Sequence, residues 1–471
     1  MLRNFVRSLC KHSAPTELRF NLSTKELLRE AMRRGKRIVL TTFGSFGDIH
    51  PYMAIALELQ ARGHNPVIAT SGLYREKIEG AGLTFAALRP ELPTPKDQDQ
   101  EMMDRIMEPR SGPKYLMEEL VFPYVREGYA DLMQASEGAD LLVTHPITFA
   151  GPLVARTTGI PWISTVLAPL SFFSAYDPPI PPFWPWMNKL RLLGPRFMKS
   201  FMDLVKRNYR AKLVDELREE LGIPDYGNPA FDGQHSPELV LALFSKHFAV
   251  PQPDWPLQTK ITGFPFYDGR HEKAMPPELL EFLNLGAAPI VFTLGSSAVW
   301  VARDFFHESI AAAKKLGRRA VLLIGDERNR PQEPLPSGMI AVDYAPFESL
   351  LERGCVVVHH GGVGTTSQGL RAGIPTLIVP FAFDQSDNAA HAARLGTSRT
   401  LYRRSYKAER VARELDNLLT KPQYALNARE LGARLRSESG AATASDLIED
   451  FLSGFRRKKT ANEDLTYASR N

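Results

Sequence analysis

Short apolar runs recur along the chain, each followed by a small or polar turn and then by a stretch of helical periodicity. In the first half these runs fall at 38–42, 66–70, 83–88, 139–144, 160–166 and 239–244; in the second, at 289–294, 320–324, 340–342, 355–358 and 375–379. Helical patterns lie at 53–61, 114–135, 189–221 and 302–316, then through a long region to residue 440 and again at 444–453. Strand, turn and helix in repeated order predict an α/β fold of two doubly wound domains, each on a parallel sheet. The spacing divides the chain into an extension (1–35), a first domain (36–250), a Pro- and Gly-rich linker (251–278), a second domain (279–440), a helix (441–455) that packs back on the first domain, and a disordered or surface-bound tail (456–471).

The length of 471 residues and the 44% hydrophobic content fit two cores rather than one. Net charge is +5, but residues 1–37 carry ten Lys or Arg against three Glu, so +7 there leaves −2 for the rest. Basicity is read as an N-terminal property, which argues against a nucleic-acid-binding body and points the extension toward an anionic membrane surface; a poorly ordered extension over 1–35 is the alternative. A short amphipathic helix at 22–32 would serve that contact. Arg3, Arg7, Lys11 and His12 interrupt the apolar core that a signal peptide needs, and Cys10 and Cys355 make no disulfide framework. The expected place is the cytoplasm, at the inner face of the membrane.

Chemistry concentrates at two turns. The apolar run at 355–358 breaks into His359, His360 and a glycine-rich turn, after which Gly364, Thr365 and Thr366 open a helix. Backbone amides there suit a phosphate. Neighbours on an extended strand point to opposite faces, so the two histidines make one directed contact rather than a metal pair. Asp384 and Gln385 follow the run at 375–379, where they would grip sugar hydroxyls.

The other turn, GSFGDIHP at 44–51, follows the first strand at its carboxyl end, where doubly wound folds bind ligands. Asp48 reads either as a helix cap, with Pro51 in the first turn, or as a general base. His145 ends the strand at 139–144 and approaches Asp48 if that strand lies beside the first; a surface histidine before a proline is the alternative. Asp97 and Asp99 mimic a metal motif but lie in a polar loop, 89–112. The segment 169–187 carries Phe172, Phe173, Tyr176 and Trp184 among prolines that forbid regular structure. It either packs on its own domain or lines a wall for an apolar acceptor.

The two motifs, GSFGDIHP and YAPFESLLERGCVVVHHGGVGTTSQGLRAGIPTLIVPFAFDQSDN (344–388), resemble those of the inverting nucleotide-sugar glycosyltransferases of GT-B fold, over residues 36–452. The branch resembled contains sterol and antibiotic glucosyltransferases and rhamnolipid-type rhamnosyltransferases. The resemblance implies two Rossmann-like domains facing each other across a cleft. It implies that His360 contacts the donor diphosphate with Gly362, Gly364, Thr365, Thr366 and Ser296, that Tyr344 stacks on the base, and that the Ala345 backbone reads its edge. Asp384 and Gln385 match the residues that hold donor hydroxyls. Asp48 falls at the family's catalytic aspartate and His145 near its partner. Gln368 replaces an acidic ribose ligand and Phe347 a usual Gln or His, which leaves uridine and thymidine donors both open.

The expected reaction is metal-independent, inverting hexosyl transfer from a nucleotide-diphosphate sugar to an apolar acceptor such as a sterol, lipid or polyphenol, with no cofactor. UDP-glucose is the first donor and dTDP-rhamnose the alternative. A GT-B-fold epimerase and a non-catalytic nucleotide-sugar-binding protein are the competing readings; the aromatic segment counts against the epimerase.

Overall fold

A computed structural model of the chain describes residues 35–92, 100–181, 183, 185–268 and 274–468, with backbone alone at 185–188 and 456–468. Seven strands pair in parallel in the first domain: β1 (Arg37–Thr41), β2 (Asn65–Thr70), β3 (Thr84–Ala87), β4 (Leu141–Thr144), β5 (Trp162–Val166), β6 (Val240–Ala242) and β7 (Thr259–Ile261). Their order is β3-β2-β1-β4-β5-β6-β7. The second sheet, β10-β9-β8-β11-β12-β13, contains β8 (Ile290–Thr293), β9 (Ala320–Leu323), β10 (Met339–Val342), β11 (Val356–His359), β12 (Thr376–Ile378) and β13 (Ser398–Thr400). Five helices frame the cleft or brace its walls: α1 (Phe46–Ala61), α2 (Pro195–Asn208), α3 (Val363–Ala372), α4 (Gln385–Arg394) and α5 (Gly440–Ala468).

Parallel strands covered by helices on both sides must be apolar on both faces, and this explains the unbroken runs. In β1, Ile38 and Leu40 enter one core with Ile49 and Met53 of α1, while Val39 enters another with Val67 and Leu142. In β11, Val356 and Val358 divide from Val357 in the same way. Strand order reverses between β1 and β4 and again between β8 and β11. The crevice at such a reversal lies at the strands' carboxyl ends, where ligands bind in these folds. Both chemical turns of the sequence are therefore placed at switch points: Asp48 after β1 and His145 after β4, Gly295 after β8 and His360 after β11.

Several elements depart from the sequence pattern. The stretch read as linker contains β7, which pairs with β6 and forms the edge of the first sheet. The helical region before residue 440 contains β13, paired with β12. The polar loop at 89–112 holds a helix, Gln100–Ile106, whose Met103 and Ile106, with Met107, pack against Val299, Val301 and Phe305 of the second domain. The helix expected over 189–221 is broken at Gly194 and again after Asn208. The C-terminal helix α5 continues to Ala468, through the stretch read as tail. It returns to the first domain, where Ala444, Ile448 and Leu452 join the α1 core and Arg62 pairs with Asp446 and Glu449 at 2.6 and 2.7 Å. The N-terminal helix at 22–32, the Asp97 and Asp99 motif and Trp184 lie outside the described residues. Among the described residues no helix is long and apolar enough to cross a membrane.

Candidate active site in the cleft between the two sheets

The first turn of α1 gives Asp48 two engagements at once. Ser45, not Asp48, is the N-cap; Asp48 is the third helical residue and closes a capping box. Its Oδ2 accepts from the Ser45 N–H at 2.7 Å and from the Ser45 hydroxyl at 3.2 Å. Its Oδ1 lies 3.3 Å from Nε2 of His145. The Nδ1 of His145 accepts from the Ile147 N–H at 3.2 Å, so in the neutral ring the proton sits on Nε2 and is donated to Asp48. The backbone of His145 is fixed by the Thr148 hydroxyl, which accepts from its N–H and donates to its carbonyl. Tyr52, bonded to Thr165, sets its ring against the imidazole with centroids 5.8 Å apart. The carboxylate is 31% exposed and the imidazole 6%. One residue therefore faces the cleft on a buried support.

Opposite, α3 begins at Gly362 with no side-chain cap, so the N–H groups of its first turn are available to an anion. His360 is packed between two turns that have to be glycine. A Cβ on Gly295, where φ is +61°, would lie 2.5 Å from Cε1 of His360, and a Cβ on Gly362 would lie 2.5 Å from Nε2. Burial pushes the His360 imidazole down to about 4, so the ring is neutral, and its Nδ1 has no hydrogen-bond partner. His359 turns elsewhere, with Nδ1 accepting from the Gly361 N–H at 3.1 Å; the two rings are at 84°. Thr365 and Thr366 are buried in the same turn of α3, and Ser296 is half-buried on the loop after β8. Tyr344 and Ala345 follow β10, the tyrosine 38% exposed and the alanine buried.

Asp384 stands at the N-cap position of α4 without a side-chain capping bond, and Gln385 is the first helical residue. The Gln385 side-chain carbonyl closes the loop after β12 by accepting from the Phe381 and Ala382 N–H groups at 2.8 and 3.1 Å. Asn388, which the sequence reading passes over, ties the two halves of the turn together: its Nδ2 donates to Asp384 at 2.7 Å and to the Gly361 carbonyl at 3.0 Å. Its signal was its position one helical turn beyond Asp384. Although part of Asp384 opens onto the cleft, burial raises its carboxyl to about 7; Asp48 and Asp387 push the same way and the Asn388 hydrogen bond opposes them.

The domains meet at this point. A Cβ on Gly364 would lie 3.3 Å from the Cα of Gly47, so the first turns of α1 and α3 approach backbone to backbone and both positive helix ends face one space. A strap holds them. The Ile180 N–H donates to Asp387 at 3.2 Å, and Asp177 pairs with Arg394 of α4 at 2.9 Å. The aromatic segment thus bridges the domains. Its Phe172 lies in the core, stacked on Trp255 at 4.1 Å, and Phe173 packs on Phe231 at 4.9 Å; Tyr176 is exposed. Phe172 therefore supports the wall rather than forming its surface. Phe172→Ala is expected to lower unfolding free energy by about 3–5 kcal/mol with little change in acceptor KM, as read by denaturant titration beside steady-state kinetics.

Asp384 carries a pH signature of opposite sign in stability and in binding. Its carboxyl is raised above the ordinary value, so its contribution to stability is present at low pH and is lost as pH rises through about 7. If Asp384 holds the donor sugar, as the sequence resemblance implies, hydroxyls donating to the ionised form would instead strengthen donor affinity through that range. Calorimetric titration of the donor across pH should show an inflection that Asp384→Asn abolishes; the same inflection in the variant would assign it to another group.

Residues 38–117 match the glycosyltransferase family 28 N-terminal domain, and residues 308–449 the erythromycin biosynthesis protein CIII-like C-terminal domain. The chain is 33% identical over 426 residues to an O-mycaminosyltylonolide 6-deoxyallosyltransferase of Streptomyces fradiae, covering 88% of this chain and 97% of that protein. It is 27% identical over 428 residues to a sterol 3-beta-glucosyltransferase of Leptosphaeria maculans, spanning 87% of this chain but only 28% of that much longer protein. The kitacinnamycin glycotransferase shares the fold, with a TM-score of 0.65 at 22% identity over 89% of this chain and 99% of its own.

Proposed function

The chain belongs to the GT-B UDP-glycosyltransferase family, and from that premise we propose that this glycosyltransferase moves a hexose from a nucleotide-diphosphate sugar to a hydroxyl of a sterol, macrolide or similarly apolar acceptor, with inversion and without a metal. The observation that carries this reading is the Asp48–His145 pair set opposite the uncapped helix end of α3. Asp48 takes the proton of the acceptor hydroxyl as that oxygen bonds to the anomeric carbon. The bond from the anomeric carbon to the diphosphate oxygen breaks on the other face, and its electron pair leaves with the diphosphate. The negative charge that develops there meets His360, the hydroxyls of Thr365 and Thr366, and the α3 amides. Asp384 and Gln385 hold the sugar, while Tyr344 and the Ala345 backbone hold the base.

Relatives named for transferring glucose and 6-deoxyallose support two donor classes. UDP-glucose is the first candidate and a dTDP-deoxyhexose such as dTDP-rhamnose the second. Each donor is to be paired with a sterol and with a macrolide aglycone, in the presence and absence of a chelator, and the product's anomeric configuration read by NMR. Inverted product that persists with chelator is expected. A retained configuration, or turnover abolished by the chelator and restored by a divalent ion, would overturn the mechanism. Donor altered without any acceptor would restore the epimerase reading.

A further inference from the structure

Between β5 and β6 the first domain carries a second basic stretch that the whole-chain charge conceals. Residues 189–212 contain eight Lys or Arg and one acidic residue, in a body whose net charge beyond the N-terminal 37 residues is −2. The same stretch holds a concentration of exposed apolar side chains. Leu192 is 89% exposed, Leu193 and Leu204 57% each, and Phe197 46%.

Part of this set lies on one side of α2, while Arg191, Lys199, Lys206 and Lys212 are held by Asp177, Asp203, Asp232 and Glu216. The inner face of α2, Met198 and Met202, packs on Ala175 with Phe173 and Phe201. Phe197, Ser200 and Leu204 follow one outward line at spacings of three and four residues, and Arg196 and Arg207 are exposed beside it. Leu192 and Leu193 stand at the turn immediately before the helix, ahead of Gly194. Adjacent leucines at a turn, then a helix with an apolar line flanked by cations, match a surface whose tails accept leucine and whose headgroups accept arginine.

We propose that the turn at 192–194 and the outer face of α2 dock on an anionic lipid bilayer, with Leu192, Leu193, Phe197 and Leu204 entering the headgroup boundary and Arg196 and Arg207 meeting lipid phosphates. The docked helix rests on Phe173 and Ala175 of the strap, so the bilayer would lie on the acceptor side of the cleft. A protein partner would need an acidic face with apolar holes matched to these side chains; a bilayer needs no such match, and the interleaving of leucines with cations favours it.

The test is flotation of the full chain with neutral phosphatidylcholine vesicles and with vesicles containing about 30 mol % phosphatidylglycerol. Two variants are compared, Leu192→Ser/Leu193→Ser/Phe197→Ser and Arg196→Gln/Arg207→Gln; all five positions are exposed, and thermal unfolding checks that each variant is folded. Flotation with the anionic vesicles alone is expected, lost about tenfold in either variant. Flotation unchanged in both variants, or absent from the full chain, overturns the proposal. So does lipid-independent self-association that the leucine variant abolishes, since it would make this face an interface between copies. Binding is read without turnover, so its failure is separate from any failure of the proposed reaction.

Discussion

The Asp48→Asn variant is expected to lose roughly 10³-fold in kcat while its affinity for donor stays nearly unchanged. The substitution keeps the shape and the cap: an Asn side-chain oxygen still accepts from Ser45, as Oδ2 does at 2.7 Å. What it removes is the acceptor of a proton. With its oxygen turned to Ser45, the Asn amide would face the Nε2–H of His145, so two donors would meet where a hydrogen bond now lies. His145→Ala should cost less, because the carboxylate survives, and the double variant should fall little below Asp48→Asn alone, as residues acting as a unit do. Nucleotide release measured with a productive acceptor, beside donor titration by calorimetry, separates chemistry from binding. A kcat within tenfold of the parent enzyme would remove Asp48 from the role of base.

The two sides of this site differed in how far the sequence disclosed them. The turns at 44–51 and 359–366 were legible because each follows an apolar run buried on both faces, and a parallel sheet places such turns at its carboxyl edge. Which turns share a switch point depends on strand order, and so the proximity of Asp48 and His145 stood as a condition that β4 pairing with β1 meets. Edge strands β7 and β13 escaped because TKI and SRT are three residues long and mostly polar; their stability comes from one neighbour each. The helix at Gln100–Ile106 escaped for another reason. Its Met103 and Ile106 find their apolar contacts in the second domain, a partner that no local period reveals.

Side-chain class was also a poor guide within the aromatic segment. Phe172 and Tyr176 are four residues apart in one loop, yet Phe172 is stacked beneath the wall and Tyr176 is exposed upon it. The prolines announced an irregular loop but not what it reaches, which is α4 through Asp177 and Ile180. That reach has a consequence for the cleft. The strap holds the helix whose first turn carries Asp384 and Gln385, so the two sides of the cleft are mechanically joined through one short segment.

His360→Ala should cost about 10²–10³-fold in kcat/KM, the scale of removing one donor to a developing anion in a water-poor site. The ring is neutral, because burial holds it at about 4, and its Nε2 lies beside the Gly362 turn that opens α3, while the buried, unpartnered Nδ1 lies toward Gly295. A neutral imidazole donates from one nitrogen without the cost of keeping a charge buried before the diphosphate arrives. Charge then grows on the leaving diphosphate in the transition state, so the hydrogen bond strengthens most at that stage and the loss should fall on kcat as well as on KM. His360→Gln keeps a neutral donor of shorter reach and should recover part of the rate, whereas a purely structural filler would be served equally by His360→Leu. A diphosphate bound beside the ring would raise the imidazole above its free value, so nucleotide-diphosphate affinity should increase as pH falls toward the raised value in the parent enzyme and lose that slope in His360→Gln. Equal kcat/KM for the Leu and Gln variants, with the pH slope intact in both, would assign the anion to the α3 amides alone and leave His360 as packing between Gly295 and Gly362.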